Sequence, residues 1–116
     1  MRRVIIGNKL GQTNIPLGEG LPTRINFIVG ANSSEPDVVN MEKAKIDLAA
    51  RLGIDTITDL SMVRLEQPLW QYVREYHPHI GVGINPPYLP YVENGTKIPP
   101  GKLFREIEWF VTNGGD

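Results

Sequence analysis

The glycines and prolines of this chain fall between short β-branched runs and segments of helical periodicity, and the resulting strand-then-helix alternation repeats three times. Arg3-Val4-Ile5-Ile6 reads as a short strand. Gly7 to Pro22, rich in Gly, Pro, Asn and Thr, predicts a long turn or loose hairpin. Arg24-Ile25-Asn26-Phe27-Ile28-Val29 predicts a buried strand ended by Gly30. At Ser34-Glu35-Pro36-Asp37 the Ser hydroxyl can accept from a free amide and Pro36 sits where a missing N–H costs little, so a helix is expected from there to Leu52. Val38, Met41, Ala44, Leu48 and Leu52 predict its apolar face, with Glu42, Lys43, Lys45 and Asp47 mostly on the other. Gly53 supplies a left-handed stop.

The unit then recurs. Ile54 to Leu60 reads as a strand, and Pro68 opens a helix with the stripe Leu69, Tyr72, Val73 and Tyr76, ended by His77-Pro78. His79 to Ile84 reads as a third such strand, followed by a long loop from Asn85 to Pro99. Pro100 opens a last helix carrying Leu103, Ile107, Phe110 and Val111. Helical crossovers of this length join parallel strands, so the expected class is α/β: three successive βα units on a parallel sheet plus an N-terminal strand or hairpin. Residues 1–116 form a single α/β domain or partial barrel, with 1–23 as the N-terminal strand and loop and 24–53, 54–78 and 79–116 as the βα units. Such units begin a (β/α)₈ barrel or a doubly wound sheet. A closed barrel takes roughly 250 residues, and 116 are present.

Net charge near −1, with Arg2-Arg3 the only adjacent basic pair, gives no field for a phosphate backbone, so nucleic acid is not an expected partner. The absence of cysteine excludes disulfides, thiolate metal sites and Cys nucleophiles within the chain, and agrees with a reducing compartment. No secretory h-region and no bilayer-length apolar stretch is present, which predicts a cytoplasmic protein without a membrane partner. The sequons Asn32-Ser33-Ser34 and Asn94-Gly95-Thr96 are then chance matches.

In α/β architectures ligands sit at the carboxyl ends of strands. That rule selects Asn26 and the Gly30-Ala31-Asn32 turn, then Thr58, Asp59 and Ser61, then Asn85 and Tyr88. Asp59 could bind a hydroxyl, a cation or an amine; equally, it could cap the next turn or pair with Arg64. Gly81-x-Gly83 could admit a ligand to the backbone, although a bulge or tight packing against a helix is the favoured reading. Gly30 to Ser34 could surround a phosphate with free amides, a weaker reading than an ordinary turn. His77 and His79 belong to the opposite, amino-terminal side and are read as surface residues. Trp70, Tyr72 and Tyr76 read as core or interface, and Trp109, off its helix's stripe, as cover for a partner surface. Three prolines stiffen Asn85 to Tyr91 and can hold Tyr88 or Tyr91 over a site. The same prolines could also form a ligand for SH3 or WW domains, which is disfavoured directly after a buried strand.

Several blocks resemble the phosphomethylpyrimidine synthase family, the thiamine-pyrimidine enzymes. Ile5-Ile6-Gly7-Asn8, then Ile25-Asn26-Phe27-Ile28-Val29-Gly30-Ala31-Asn32, is similar to its Ile-Ile-Gly-Arg-Asn and Val-Asn-Ala-Asn-Ile-Gly-Asn-Ser runs. Gly53-Ile54-Asp55-Thr56-Ile57-Thr58-Asp59-Leu60-Ser61 looks like its Gly-Ala-Asp-Thr-Val-Met-Asp-Leu-Ser, the most specific block. His79-Ile80-Gly81-Val82 followed by Pro87-Tyr88 is similar to its Pro-Ile-Gly-Thr-Val-Pro-Ile-Tyr. The resemblance covers nearly the whole chain. It implies part of a (β/α)₈ barrel binding aminoimidazole ribotide, in a family that uses S-adenosylmethionine, a [4Fe–4S] cluster and zinc for a radical carbon–carbon lyase reaction.

Carried over by position, the family's ribotide-binding Asn falls on Ile28, its Met on Thr58 and its Tyr on Tyr88, so only the tyrosine is kept. Asn26 could replace the amide if the register shifted by two residues. The substrate-binding residues expected from strand ends and resemblance together are Asn26, Thr58, Asp59, Asn85 and Tyr88, with no catalytic residue and no metal ligand in the chain. The family's zinc histidines, its His and Ser-Arg-Gly-Gly segments and its cysteine motif are absent. The chain is therefore expected to be a fragment, subunit or paralogue that cannot run the radical step alone. A complementary barrel chain or a homo-oligomer would complete it. The alternative is a non-catalytic module that binds a small ribotide-like ligand or a protein.

Overall fold

The computed structural model describes residues 2–116. Strands β1 (Arg3–Ile6) and β2 (Ile15–Gly18) form an antiparallel hairpin, with Arg3 opposite Gly18 and Ile6 opposite Ile15. Strands β3 (Asn26–Val29), β4 (Thr56–Asp59) and β5 (Gly81–Ile84) form a parallel sheet in that order. Helices α1 (Pro36–Arg51) and α2 (Leu69–Tyr76) make the two crossovers, and α3 (Tyr88–Asn94) and α4 (Pro100–Thr112) follow β5. The α/β class and the order of βα units are as expected, and the loose hairpin of the N-terminal stretch is a paired one. The segment expected as loop after Asn85 contains α3, because Pro90 falls in the helix's first turn, where no intrahelical donor is needed.

Period-two alternation gives the sheet two unlike faces. Phe27, Val29, Ile57, Val82 and Ile84 join Ile46, Leu69, Trp70, Val73, Ile80 and Phe110 in one core beneath the helices. Ile57, Leu69 and Val73 have no exposed surface, and burying each contributes on the order of 1.5–3 kcal/mol. The opposite face carries Asn26, Thr56 and Gly81 in one row and Ile28, Thr58 and Gly83 in the next. Arg24 to Val29 is thus buried on one side only, and Ile28 is 59% exposed. The hairpin seats against this second face at Gly81, where an added Cβ would lie 2.9 Å from Thr56 Cγ2 and 3.0 Å from Ile15 Cδ1. Gly81 serves close packing, against the hairpin and not a helix.

Helix α1 departs from expectation in its phase. Glu42, Ile46 and Ala49 face inward, whereas Met41, Leu48 and Leu52 are 66%, 52% and 76% exposed. Glu42 can be buried because its carboxylate accepts from the Gly30 N–H (3.1 Å) and pairs with Lys45. Ser34 is not the N-cap; Glu35 occupies that place without a side-chain cap, and Ser33 Oγ accepts from the Glu35 N–H at 3.1 Å. Gly53, at φ +82°, ends the helix in the left-handed region.

The hairpin, α2, β5 and the last residue meet at Arg74. Its guanidinium donates to Thr13 Oγ1 (2.9 Å), the Pro78 carbonyl (2.8 Å) and Asp116 Oδ2 (2.6 Å), in a pair whose side chains are 7% and 2% exposed. Asp116 Oδ2 also accepts from the Val82 N–H at 2.7 Å, and the Asp116 N–H donates to the Val82 carbonyl at 3.2 Å. Arg74 Nε and Asp116 Oδ1, buried and without partners, are the remaining halves of this same ion pair. Among the described residues no helix is long and apolar enough to cross a membrane.

Candidate functional site

The parallel register groups the candidate residues in two places, one on each side of the sheet, and Asn26, expected at the carboxyl end of its strand, is instead the first residue of β3, level with Thr56 and Gly81 at the amino ends of β4 and β5. On the open face Asn26 Oδ1 accepts from Thr56 Oγ1 at 2.9 Å and from Thr58 Oγ1 at 3.1 Å. Asn26 thereby reaches the level of Thr58 through its side chain, with no shift in register. These residues, with Gly81, Gly83 and Asp116, line an open groove of about 470 Å³ whose lower wall is the hairpin residues Ile5 and Ile6.

On the helix side a cavity of about 230 Å³ lies at the ends of β4 and β5, and Asp59, Asn85 and Tyr88 all line it. Its walls are Trp70, Ile84 and Trp109, with the two indoles edge to face at 5.2 Å. Tyr88 is set at the first position of α3, where its N–H donates to the Asn85 carbonyl at 3.0 Å. Tyr91, the other tyrosine of the proline-rich segment, is exposed and does not line the cavity.

Asp59 is buried with its acceptors engaged. Oδ1 accepts from the Ser61 N–H (2.9 Å) and Ser61 Oγ (2.6 Å), and Oδ2 from the Trp70 N–H (3.1 Å). It caps the loop and the first turn of α2, as the structural reading of this residue expected. Arg64 does not pair with it. Arg64 bridges Glu93 of α3 (2.5 Å) and Glu106 of α4, and Lys102 donates to Glu93 at 2.6 Å. Hydrogen bonds from Arg64 and then Lys102 hold the Glu93 carboxyl below its usual range, and the two glutamates raise Arg64. These four charges pair with one another, and the aromatic cavity beside them also carries the carboxylates Asp59 and Glu66 in its lining.

The other sequence candidates lie outside both places. The Gly30 and Ala31 amides, candidates for a phosphate, donate to Glu42 and to Ser61 Oγ. His77 Nε2 sits 2.8 Å from Asp47 Oδ1 on the amino-terminal side, and His79 is exposed there. Trp109 and Glu106 were not legible as cavity residues, since they come from α4, distant in sequence; the one signal was Trp109 lying off its helix's stripe. No cysteine is present to ligate iron, and among the described residues no three His, Asp or Glu side chains converge on a metal-sized site. The donor set does not fit a [4Fe–4S] cluster or a zinc site.

A sequence model of the radical SAM ThiC family matches residues 2–114. A phosphomethylpyrimidine synthase from Ignicoccus hospitalis is 28% identical over 92 residues, 79% of this chain and 21% of that protein. Another, from Thermodesulfovibrio yellowstonii, is 30% identical over an alignment of 124 residues, 98% of this chain and 28% of that protein. The chain thus spans between a fifth and a third of the length of these curated relatives.

Proposed function

The chain belongs to the radical SAM ThiC family, and from that premise we propose that it provides the first βα units of a phosphomethylpyrimidine synthase-like carbon–carbon lyase barrel acting on aminoimidazole ribotide. The observation that carries this reading is the open sheet face. A sheet covered by helices on both sides would bear apolar residues there; this one presents Asn26, Thr56 and Thr58 in a hydrogen-bonded set. In a completed barrel that face turns inward, and ligands sit at the carboxyl ends of its strands. Thr58 would contact the ribotide, the Asn26 amide, at the first residue of β3, would orient the Thr58 hydroxyl that donates to it, and Tyr88 would border the ligand. Because the donor set fits neither the cluster nor zinc, the radical step is assigned to residues outside this segment. The lack of cysteine supports a reducing, cytoplasmic setting.

One observation favours a second reading, a non-catalytic binding module. Trp70, Trp109, Tyr88 and Asn85 give this chain a largely aromatic cavity of about 230 Å³ at the ends of β4 and β5. Calorimetry with aminoimidazole ribotide separates the two. Binding that appears only when a second chain supplies the remaining barrel units, and that Thr58→Val weakens about tenfold, supports the lyase barrel. Binding by the 116-residue chain alone, lost in Tyr88→Ala and kept in Thr58→Val, supports the module. Absence of heat in both samples at millimolar ligand overturns both.

A further inference from the structure

The cavity at the ends of β4 and β5 is closed on one side by a helix that the core scarcely holds. Helix α3 contributes Tyr88 and Leu89 to the lining, and Pro90 is its buried residue. Tyr91 and Val92 of the same helix are exposed. Beyond it, residues 95–99 lead to α4 outside any helix or strand, starting at Gly95 with φ +64°, a conformation that side chains disfavour. An element with so little buried apolar surface opens locally more readily than the core around it.

What fastens α3 is charge. Glu93 is the only charged residue of the helix, and cations from two other segments converge on it: Arg64, from the loop between β4 and α2, at 2.5 Å, and Lys102, from α4, at 2.6 Å. Arg64 also pairs with Glu106 of α4. Since Arg64 and Glu106 themselves line the cavity, these pairs join the segments that enclose it. The side chains of Arg64 and Glu93 are 49% and 31% exposed, and ion pairs so open to solvent are individually weak. They bias the position of α3 without locking it.

We propose that α3 is a lid on this cavity and that Glu93, gripped by Arg64 and Lys102, is its latch. Release of Glu93 lets α3 turn on its two linkers, which carries Tyr88 and Leu89 away from the cavity and uncovers Trp70. Closure keeps water from the indole walls and so strengthens polar contacts made inside. As a gate for a ligand, the lid rests on the reading of this cavity as a binding site; the movement itself does not.

Both tryptophans of the chain line the cavity, with Trp70 3% and Trp109 43% exposed. Quenching of intrinsic fluorescence by acrylamide therefore reads the lid. The 116-residue chain should show one readily quenched and one protected population. Glu93→Ala should raise the quenching constant of the protected population about threefold or more, with the far-ultraviolet circular dichroism of the sheet and long helices kept. Because the chain has no cysteine, Arg64→Cys combined with Glu93→Cys supplies two unique thiols. That variant should be open when reduced and should regain the native protection once a short bismaleimide joins the thiols, a recovery that general destabilisation would not give. An unchanged quenching constant in Glu93→Ala, or failure of the joined variant to regain protection, overturns the proposal. Acrylamide reports access with no ribotide present, so neither result decides whether the cavity binds one.

Discussion

A carboxylate at the end of a strand can hold a ligand or hold its own chain, and the number of donors already facing it separates the two. Asp59 takes three, two from Ser61 and one from the Trp70 amide. Removing it orphans those donors in a buried place, which costs about 1–3 kcal/mol for an unsatisfied group. Asp59→Ala should therefore lower the unfolding free energy by about 2–3 kcal/mol in urea titration, with or without any ligand. Gly30 illustrates a steric limit at the same scale. A Cβ there would stand 2.9 Å from the Leu60 carbonyl carbon, a backbone atom that cannot swing away. Gly30→Ala should cost about 1–3 kcal/mol, the usual range for overpacking, read as a lower urea midpoint at unchanged slope. By contrast Thr58, half-buried on the open face, should tolerate Val with little change in stability. It is the better probe of binding for that reason.

At the scale of elements, α3 is a short helix held by charge more than by its core contacts. Pro90 is its buried residue, while Arg64 and Lys102 grip Glu93 from outside. The Glu93 carboxyl is held low by Arg64 first and Lys102 second. A depressed carboxyl contributes stability that is fully present above its unfolded pKa, about 4.3 for Glu, and is lost as pH falls through its lower folded value. Acidification below about pH 4.3 should accordingly loosen α3 before the sheet. Hydrogen exchange at the Tyr91 and Gly95 amides, which close α3, should rise relative to β4 in that window. Glu93→Gln should show the loosened exchange already at neutral pH, with the acid step gone.

Across the whole molecule, the hairpin, α2, β5 and Asp116 are joined by one buried guanidinium. Breaking a buried pair from one side leaves the other charge without compensation and costs about 3–5 kcal/mol. Arg74→Ala should approach that range in thermal or urea unfolding, because it strands Asp116 and frees Thr13 together. The hairpin should then lose its hydrogen-exchange protection while β4, central in the parallel sheet, keeps most of its own. The same arrangement leaves β3 as an open edge beside the uncovered Ile28. Such an edge is a surface on which another strand can add.

Local signals were sufficient for the elements. Gly53 stops α1, Pro68 and Pro100 mark the starts of α2 and α4, and the alternating runs around Ile57 and Val82 become strands, because turn and strand preferences act within a few residues. The family blocks, too, were legible in residue order, and Thr58 and Tyr88 could be chosen near the carboxyl ends of strands before their neighbours were known, whereas Asn26 turned out to begin β3. What local pattern could not decide was which of two apolar faces of α1 meets the sheet. Val38 to Leu52 makes a good stripe by spacing, yet Glu42, Ile46 and Ala49 are the ones buried. The buried face carries Ile46 into the core and lets Glu42 accept from the Gly30 amide, 12 residues away. In the same way Asp59 became a cap, and Trp109 a cavity wall, only when α2 and α4 were packed beside β4 and β5. Periodicity names the faces an element offers; which face is buried depends on pairing polar groups and filling volume across distant segments, and that is settled in three dimensions.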